Sequence, residues 1–131
     1  MKVFEPLPAE IESVAKQTVD ASIKVHRALG PGLLESVYET CLAHELKQRG
    51  LQVETQVMIL VFYDRVCLEA GLRLDLLINK QLIVEVKAVE QMNRIFKAQV
   101  LTYLKLANLR LALLINFNVP LLRDGIERVI L

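Results

Sequence analysis

The sequence predicts an α/β protein with a mixed β-sheet core, its elements following one another as ααβββαβ with a short final strand. Three observations carry that prediction. The first third of the chain repeats apolar residues every three or four positions, the spacing of amphipathic helices. The stretch Leu72 to Val89, LRLDLLINKQLIVEVKAV, sets two apolar runs on either side of the turn Asn79-Lys80-Gln81, the pattern of a hairpin. A helical pattern then separates that hairpin from LALLINF, Leu111 to Phe117, a nearly unbroken apolar run of the length expected for a strand buried on both faces.

Taken in order, Met1 to Pro8 holds two prolines and reads as an irregular lead-in. From Ala9 to Leu29, Ile11, Val14, Thr18, Ala21, Val25 and Leu29 fall on one helical face. Gly30-Pro31-Gly32 ends that helix, because neither residue type continues it. A second helix follows, with Leu34, Val37, Tyr38, Cys41, Leu42 and Leu46 on one side, and it closes at a basic last turn and Gly50. Leu51 to Tyr63 reads as the first strand, and Asp64-Arg65 as a turn into a long second strand, Val66 to Ile78. Gly71 within it is a candidate bulge. The third strand is expected over Leu82 to Val89, a helix over Met92 to Ala107, the buried strand over Leu111 to Phe117 and an edge strand over Ile126 to Leu131. Strand, helix, buried strand is a βαβ unit, so the third and fourth strands should run parallel with a right-handed crossover.

At 131 residues the chain is expected to form a single domain, 1–131, large enough for a core without disulfides or structural metal. No apolar run approaches the roughly 18 residues needed to span a bilayer. The segment MKVFEPLPAEIE has no apolar signal region, so a cytoplasmic protein is expected. Cys41 and Cys67 form no metal or redox spacing and are read as free thiols. Sixteen basic against fifteen acidic residues argue against a protein that holds duplex DNA through phosphate contacts alone, although a local basic face is compatible with them. The 53% of apolar residues fits a compact α/β domain or one with a buried interface, and in the second case a homodimer is expected.

Three charges interrupt the most apolar strands: Asp75, Glu85 and Lys87. Burying a charge is costly unless it is paired or holds a metal. Strand alternation puts Glu85 and Lys87 on one face, and antiparallel pairing across the turn can bring Asp75 beside Glu85. Paired carboxylate oxygens suit Mg²⁺ or Mn²⁺, and a neighbouring lysine can position water or stabilise developing charge. Surface ion pairs, Glu85 with Lys87 or Asp75 with Arg73, are the plainer reading of the same spacing. Glu35 sits in the first turn of the second helix, where the helix dipole favours a carboxylate in any case. Tyr38 lies one turn on and reads as a core tyrosine with its hydroxyl at the rim. His44-Glu45 begins like a zinc-protease motif, but Gln48 stands at the second ligand position.

The run GPGLLESVYE, Gly30 to Glu39, resembles the signature of the GxxExxY family, carried here by Gly32, Glu35 and Tyr38. That family is placed within the PD-(D/E)XK nuclease superfamily. The later segments are similar in the same order: Arg73 to Leu77 for the Asp strand, Val84 to Val89 for the ExK strand, Ala98 to Leu104 on the following helix and Leu113 to Phe117 on the closing strand. The resemblance spans Val25 to Val129. It implies a restriction-endonuclease-like mixed β-sheet core (αβββαβ), here with an extra N-terminal helix. It further implies Asp75 and Glu85 as metal ligands, Glu35 as a further acidic ligand or water-positioning group, and Lys87 as the catalytic lysine. Gln99 would contact water or phosphate, with Tyr103 one turn away. Members often carry a histidine near the start of that helix. This chain reads Arg94-Ile95-Phe96-Lys97-Ala98-Gln99 there, so the histidine's part falls to Lys97 or to no residue at all. His26 matches a histidine ahead of the GPG in similar sequences, with structural and catalytic roles both open. The expectation is a Mg²⁺- or Mn²⁺-dependent nuclease hydrolysing phosphodiester bonds in DNA or RNA by metal-activated water. The alternative is an inactive nuclease-fold protein that binds nucleic acid or another protein.

Overall fold

The computed structural model describes residues 5–131. Of the irregular lead-in expected over Met1 to Pro8, residues 1–4 lie outside that range. Helix α1 spans Ala9–Leu29 and α2 spans Glu35–Gln48. Strands β1, Val53–Tyr63, and β2, Val66–Ile78, form a long hairpin, followed by β3, Leu82–Lys87. Helix α3, Arg94–Ala107, leads to β4, Leu111–Asn116, and a 3-10 turn, Leu122–Gly125, leads to β5, Ile126–Ile130.

The five strands make one sheet in the order β1-β2-β3-β4-β5. Pairing is antiparallel throughout except between β3 and β4, which run parallel, as the βαβ pattern predicts. Side-chain alternation divides the two central strands between two cores. Leu82, Val84 and Val86 of β3, with Leu111, Leu113 and Ile115 of β4, pack with α1 and α2. Ile83, Ala112 and Leu114 turn the other way and pack with Val100 and Leu104 of α3. The sheet is therefore sandwiched, and this explains why β4 is buried at every position. No helix among the described residues is long and apolar enough to cross a membrane.

The hairpin holds two irregularities. Between Ile59 and Val61 the register slips, and β2 carries extra residues there. Gly71 lies at this slip, where a Cβ would run into the Val61 side chain, so the expected bulge is present for a steric reason. Further in, the β2–β3 ladder runs only from Ile78↔Leu82 to Leu76↔Val84 and then stops.

Strand β3 ends at Lys87, two residues short of its expected limit. Beyond it, Val89 bonds not to a strand but to the Asn116 side chain, which accepts from the Val89 N–H and donates to the Val89 carbonyl. Helix α3 likewise starts two residues late, at Arg94, because Asn93 acts as its N-cap and accepts from the Ile95 N–H.

Candidate metal-binding and active site

Where the β2–β3 ladder stops, two carboxylates replace it. Glu85 Oε1 accepts from the Asp75 N–H at 3.1 Å, and Asp75 Oδ2 accepts from the Val86 N–H at 2.9 Å. Each acid thus fills the backbone bond that the diverging strands no longer make, and each is fixed in place by it. Glu85 is 5% exposed. Burial, and then the Asp75 charge beside it, push its carboxyl up to about 8, against the smaller opposing pull of the Asp75 N–H bond and the Lys87 charge.

The surface ion pairs of the plainer reading are not made. Among the described residues neither Glu85 with Lys87 nor Asp75 with Arg73 forms a salt bridge. Lys87 instead rests its Nζ 4.4 Å from the centre of the Phe96 ring on α3. It shares the α3 side of β3 with Glu85 by strand alternation.

Helix α3 brings Tyr103 to the same place. Its hydroxyl pKa is raised by partial burial and then by the negative charges of Glu85 and Asp75. Gln99, one turn earlier on α3, is exposed. Lys97 pairs with Glu127 of β5 at 3.1 Å, so the residue in view as a histidine replacement is engaged elsewhere.

Glu35 enters from the opposite side of the sheet. It is the first residue of α2, and its Oε1 accepts from the Ala88 N–H, just past the end of β3, at 3.4 Å. The loop before it explains the Gly-Pro-Gly sequence. Gly30 and Gly32 have φ of 71° and 97°, a region that favours glycine. Tyr38, fully buried, donates to the Gly30 carbonyl at 2.6 Å and accepts from the Leu33 N–H at 3.1 Å, closing the loop against the helix. Its ring stacks on Phe117 at 4.5 Å. His26 bonds through Nε2 to the Val119 carbonyl at 2.7 Å, a contact that ties the end of α1 to the segment after β4. Tyr38 and His26 therefore hold the scaffold that presents Glu35.

The sequence reading passed over two residues here. Glu39, one turn after Glu35, accepts a hydrogen bond from Gln56 Nε2 at 2.8 Å. Burial raises its pKa, the Gln56 bond opposes this, and the charges of Asp75 and Glu35 raise it further. The i, i+4 spacing from Glu35 was the available signal. Asn116, buried beside Lys87 across the β3–β4 ladder, binds the backbone of Val89 and Asn118. A lone amide ending an apolar strand was its signal.

Asp75, Glu85, Lys87 and Tyr103 thus come together, with Glu35 and Glu39 at the margin. Among the described residues no three His, Cys, Asp or Glu side chains gather as a metal-holding group. The donor chemistry nevertheless fits a divalent cation. Two carboxylates share one site, one of them is out of water with a strongly raised pKa, and the adjacent lysine is not spent on neutralising them. A surface cavity of about 580 Å³ lies elsewhere, lined by His26, Arg27 and Arg123 among others.

A family model described as PD-(D/E)XK nuclease superfamily matches residues 12–129. No curated protein and no solved structure matches the chain.

Proposed function

The chain belongs to the PD-(D/E)XK nuclease superfamily, and from that membership we propose that it is a Mg²⁺- or Mn²⁺-dependent nuclease of the GxxExxY type, cleaving phosphodiester bonds in DNA or RNA. The observation that carries this reading is the Asp75–Glu85 pair, a half-buried and a buried carboxylate held by backbone N–H groups where β2 and β3 part. Gly32, Glu35 and Tyr38 support the GxxExxY placement, since the loop geometry depends on the glycine and the tyrosine.

Asp75 and Glu85 would hold the cation, with Glu35 as the further acidic group. When bound, the cation supplies Lewis-acid polarisation of the scissile phosphate and a more acidic attacking water. Lys87 projects from the same face of β3 as Glu85 and offers its ammonium to the charge that builds on phosphorus-bound oxygens. Glu35, held at the end of β3, orients the incoming water from the α2 side. Gln99 and Tyr103, a turn apart on α3, donate hydrogen bonds to the phosphate from the other. Phe96 keeps the Lys87 amine in place through its ring face. A long polymer lies along a surface and needs no enclosed pocket, so the cavity beside His26 and Arg123 is no objection.

The test is cleavage of single- and double-stranded DNA and RNA with Mg²⁺ and with Mn²⁺. Metal-dependent cleavage that disappears in Asp75→Ala and in Lys87→Ala is the expected result. Intact substrates of every form at high protein concentration would sink the proposal and leave the binding-module reading.

A further inference from the structure

The outer half of the β1–β2 hairpin has no part in this site and is built unlike the rest of the surface. β1 is an edge strand. From Val57 to Tyr63 it reads VMILVFY, with no charge and no proline. Proteins blunt exposed edges with lysines, prolines or covering segments, because unpaired backbone groups on an apolar strand recruit another strand. This edge has no blunting residue.

Past the slip at Ile59/Val61 the hairpin also leaves the α3 core. Val57 and Ile59 pack on that core, whereas Phe62 is 68% and Tyr63 76% exposed. Leu60, Val66 and Leu68 are each about half exposed. The register sets Tyr63 opposite Val66 and Val61 opposite Leu68, so the apolar surface continues on both strands. By strand alternation Tyr63, Val66 and Leu68 share one face of the hairpin and Leu60 and Phe62 the other, and the two faces together leave on the order of 500 Å² of apolar surface in water. With flanking backbone, that approaches the roughly 800 Å² that one partner contributes to a stable interface.

The charge pattern selects the occupant. From Val57 to Leu68 the only charged residues are Asp64 and Arg65, adjacent in the turn and of opposite sign. A polyanion or an anionic membrane would call for a basic excess, which is absent. A surface with one acid and one base at its tip is self-complementary, as a two-fold contact requires.

We propose that this arm is a homodimerisation surface, docking against the same arm of a second copy with the β1 edge supplying backbone hydrogen bonds. The dimer does not depend on catalysis, so its test is separate from that of the nuclease reading.

The test is sedimentation equilibrium of the full chain at micromolar concentration. Wild type is expected at twice the chain mass of 14.9 kDa. Phe62→Lys/Leu68→Lys should sediment at half that value with unchanged helical circular dichroism. Leu121→Lys, an exposed apolar site on a different surface, should remain dimeric. If the double variant does not fold, Phe62→Ser/Tyr63→Ser is read in its place. A monomeric wild type overturns the proposal, whether or not single-stranded oligonucleotide binds the arm. So does a dimer that survives the arm substitutions or is broken by Leu121→Lys.

Discussion

The two ends of β2 break the usual partition of residues in opposite ways. At its inner end Leu74, Leu76 and Ile78 are fully buried, yet the strand carries Asp75 against the buried Glu85. At its outer end it is exposed, yet Val66 and Leu68, with Phe62 and Tyr63 across the ladder, are apolar. Each arrangement is unfavourable for an isolated chain, the first through like charges withdrawn from water and the second through apolar surface left in it. The difference teaches what each end lacks. On the proposed readings a cation would relieve the inner end and an identical arm the outer. Two irregularities set the boundary: the ladder stops at Leu76↔Val84, and the register slips at Ile59/Val61.

Substitutions at the inner end should have the largest effect. Asp75→Ala, Glu85→Ala and Lys87→Ala should each lower the cleavage rate by on the order of 10³-fold in single-turnover assays. Lys97→Ala, which removes only a surface ion pair with Glu127, should leave that rate within about twofold. Equal losses from Lys97→Ala and Lys87→Ala would erase the distinction between site and surface.

Next in size is Asn116→Ala. It deletes an amide that accepts from the Val89 and Asn118 N–H groups and donates to the Val89 carbonyl. The expected loss is about 2–4 kcal/mol in urea unfolding, with faster amide exchange at Val89. Unchanged exchange at Val89 would show that the loop holds its place by other contacts.

The inner end should also respond to pH. Glu85 is raised in the fold, so between the ordinary carboxylate range and about 8 the native chain binds more protons than the unfolded one. Stability of the metal-free protein should therefore be highest at the acidic side of that window and fall as pH rises through about 8. Thermal melts across the window should show a decline on the order of 5 °C or more in wild type, absent in Glu85→Gln, which keeps the acceptor for the Asp75 N–H. Parallel curves for the two proteins would contradict the assignment.

The smallest expected effect concerns the scaffold. Tyr38→Phe removes the bonds to Gly30 and Leu33 but keeps the ring on Phe117, and should lower stability by about 1–2 kcal/mol. A loss near zero would mean that the glycines alone shape the loop.

Much of this was legible in the residues. The 3.6-residue period of Ile11 to Leu29 and the apolar run of β4 placed α1 and the central strand, because burial is what those patterns encode. Strand alternation correctly paired Glu85 with Lys87 on one face. What periodicity could not show was the parting of β2 from β3, since there side chains substitute for a backbone ladder. It could not show that Tyr38, read as a tyrosine with a hydroxyl at the rim, is a fully buried clamp on its own N-terminal loop. The ends of β3 and α3 were misplaced by two residues because Asn116 and Asn93 bond the backbone there, a matter of side-chain geometry rather than hydrophobic pattern. Composition suggested a partner. Only the exposure of Phe62 and Tyr63 says where one would sit.

The most direct test of the inner end is calorimetric titration of the metal-free protein with Mn²⁺, beside Asp75→Asn. A saturable binding heat in wild type that is lost in Asp75→Asn, with both proteins folded by circular dichroism, is the result expected of a cation site on Asp75 and Glu85. A folded wild-type protein that gives only dilution heat, or an Asp75→Asn variant that binds as well, would contradict it.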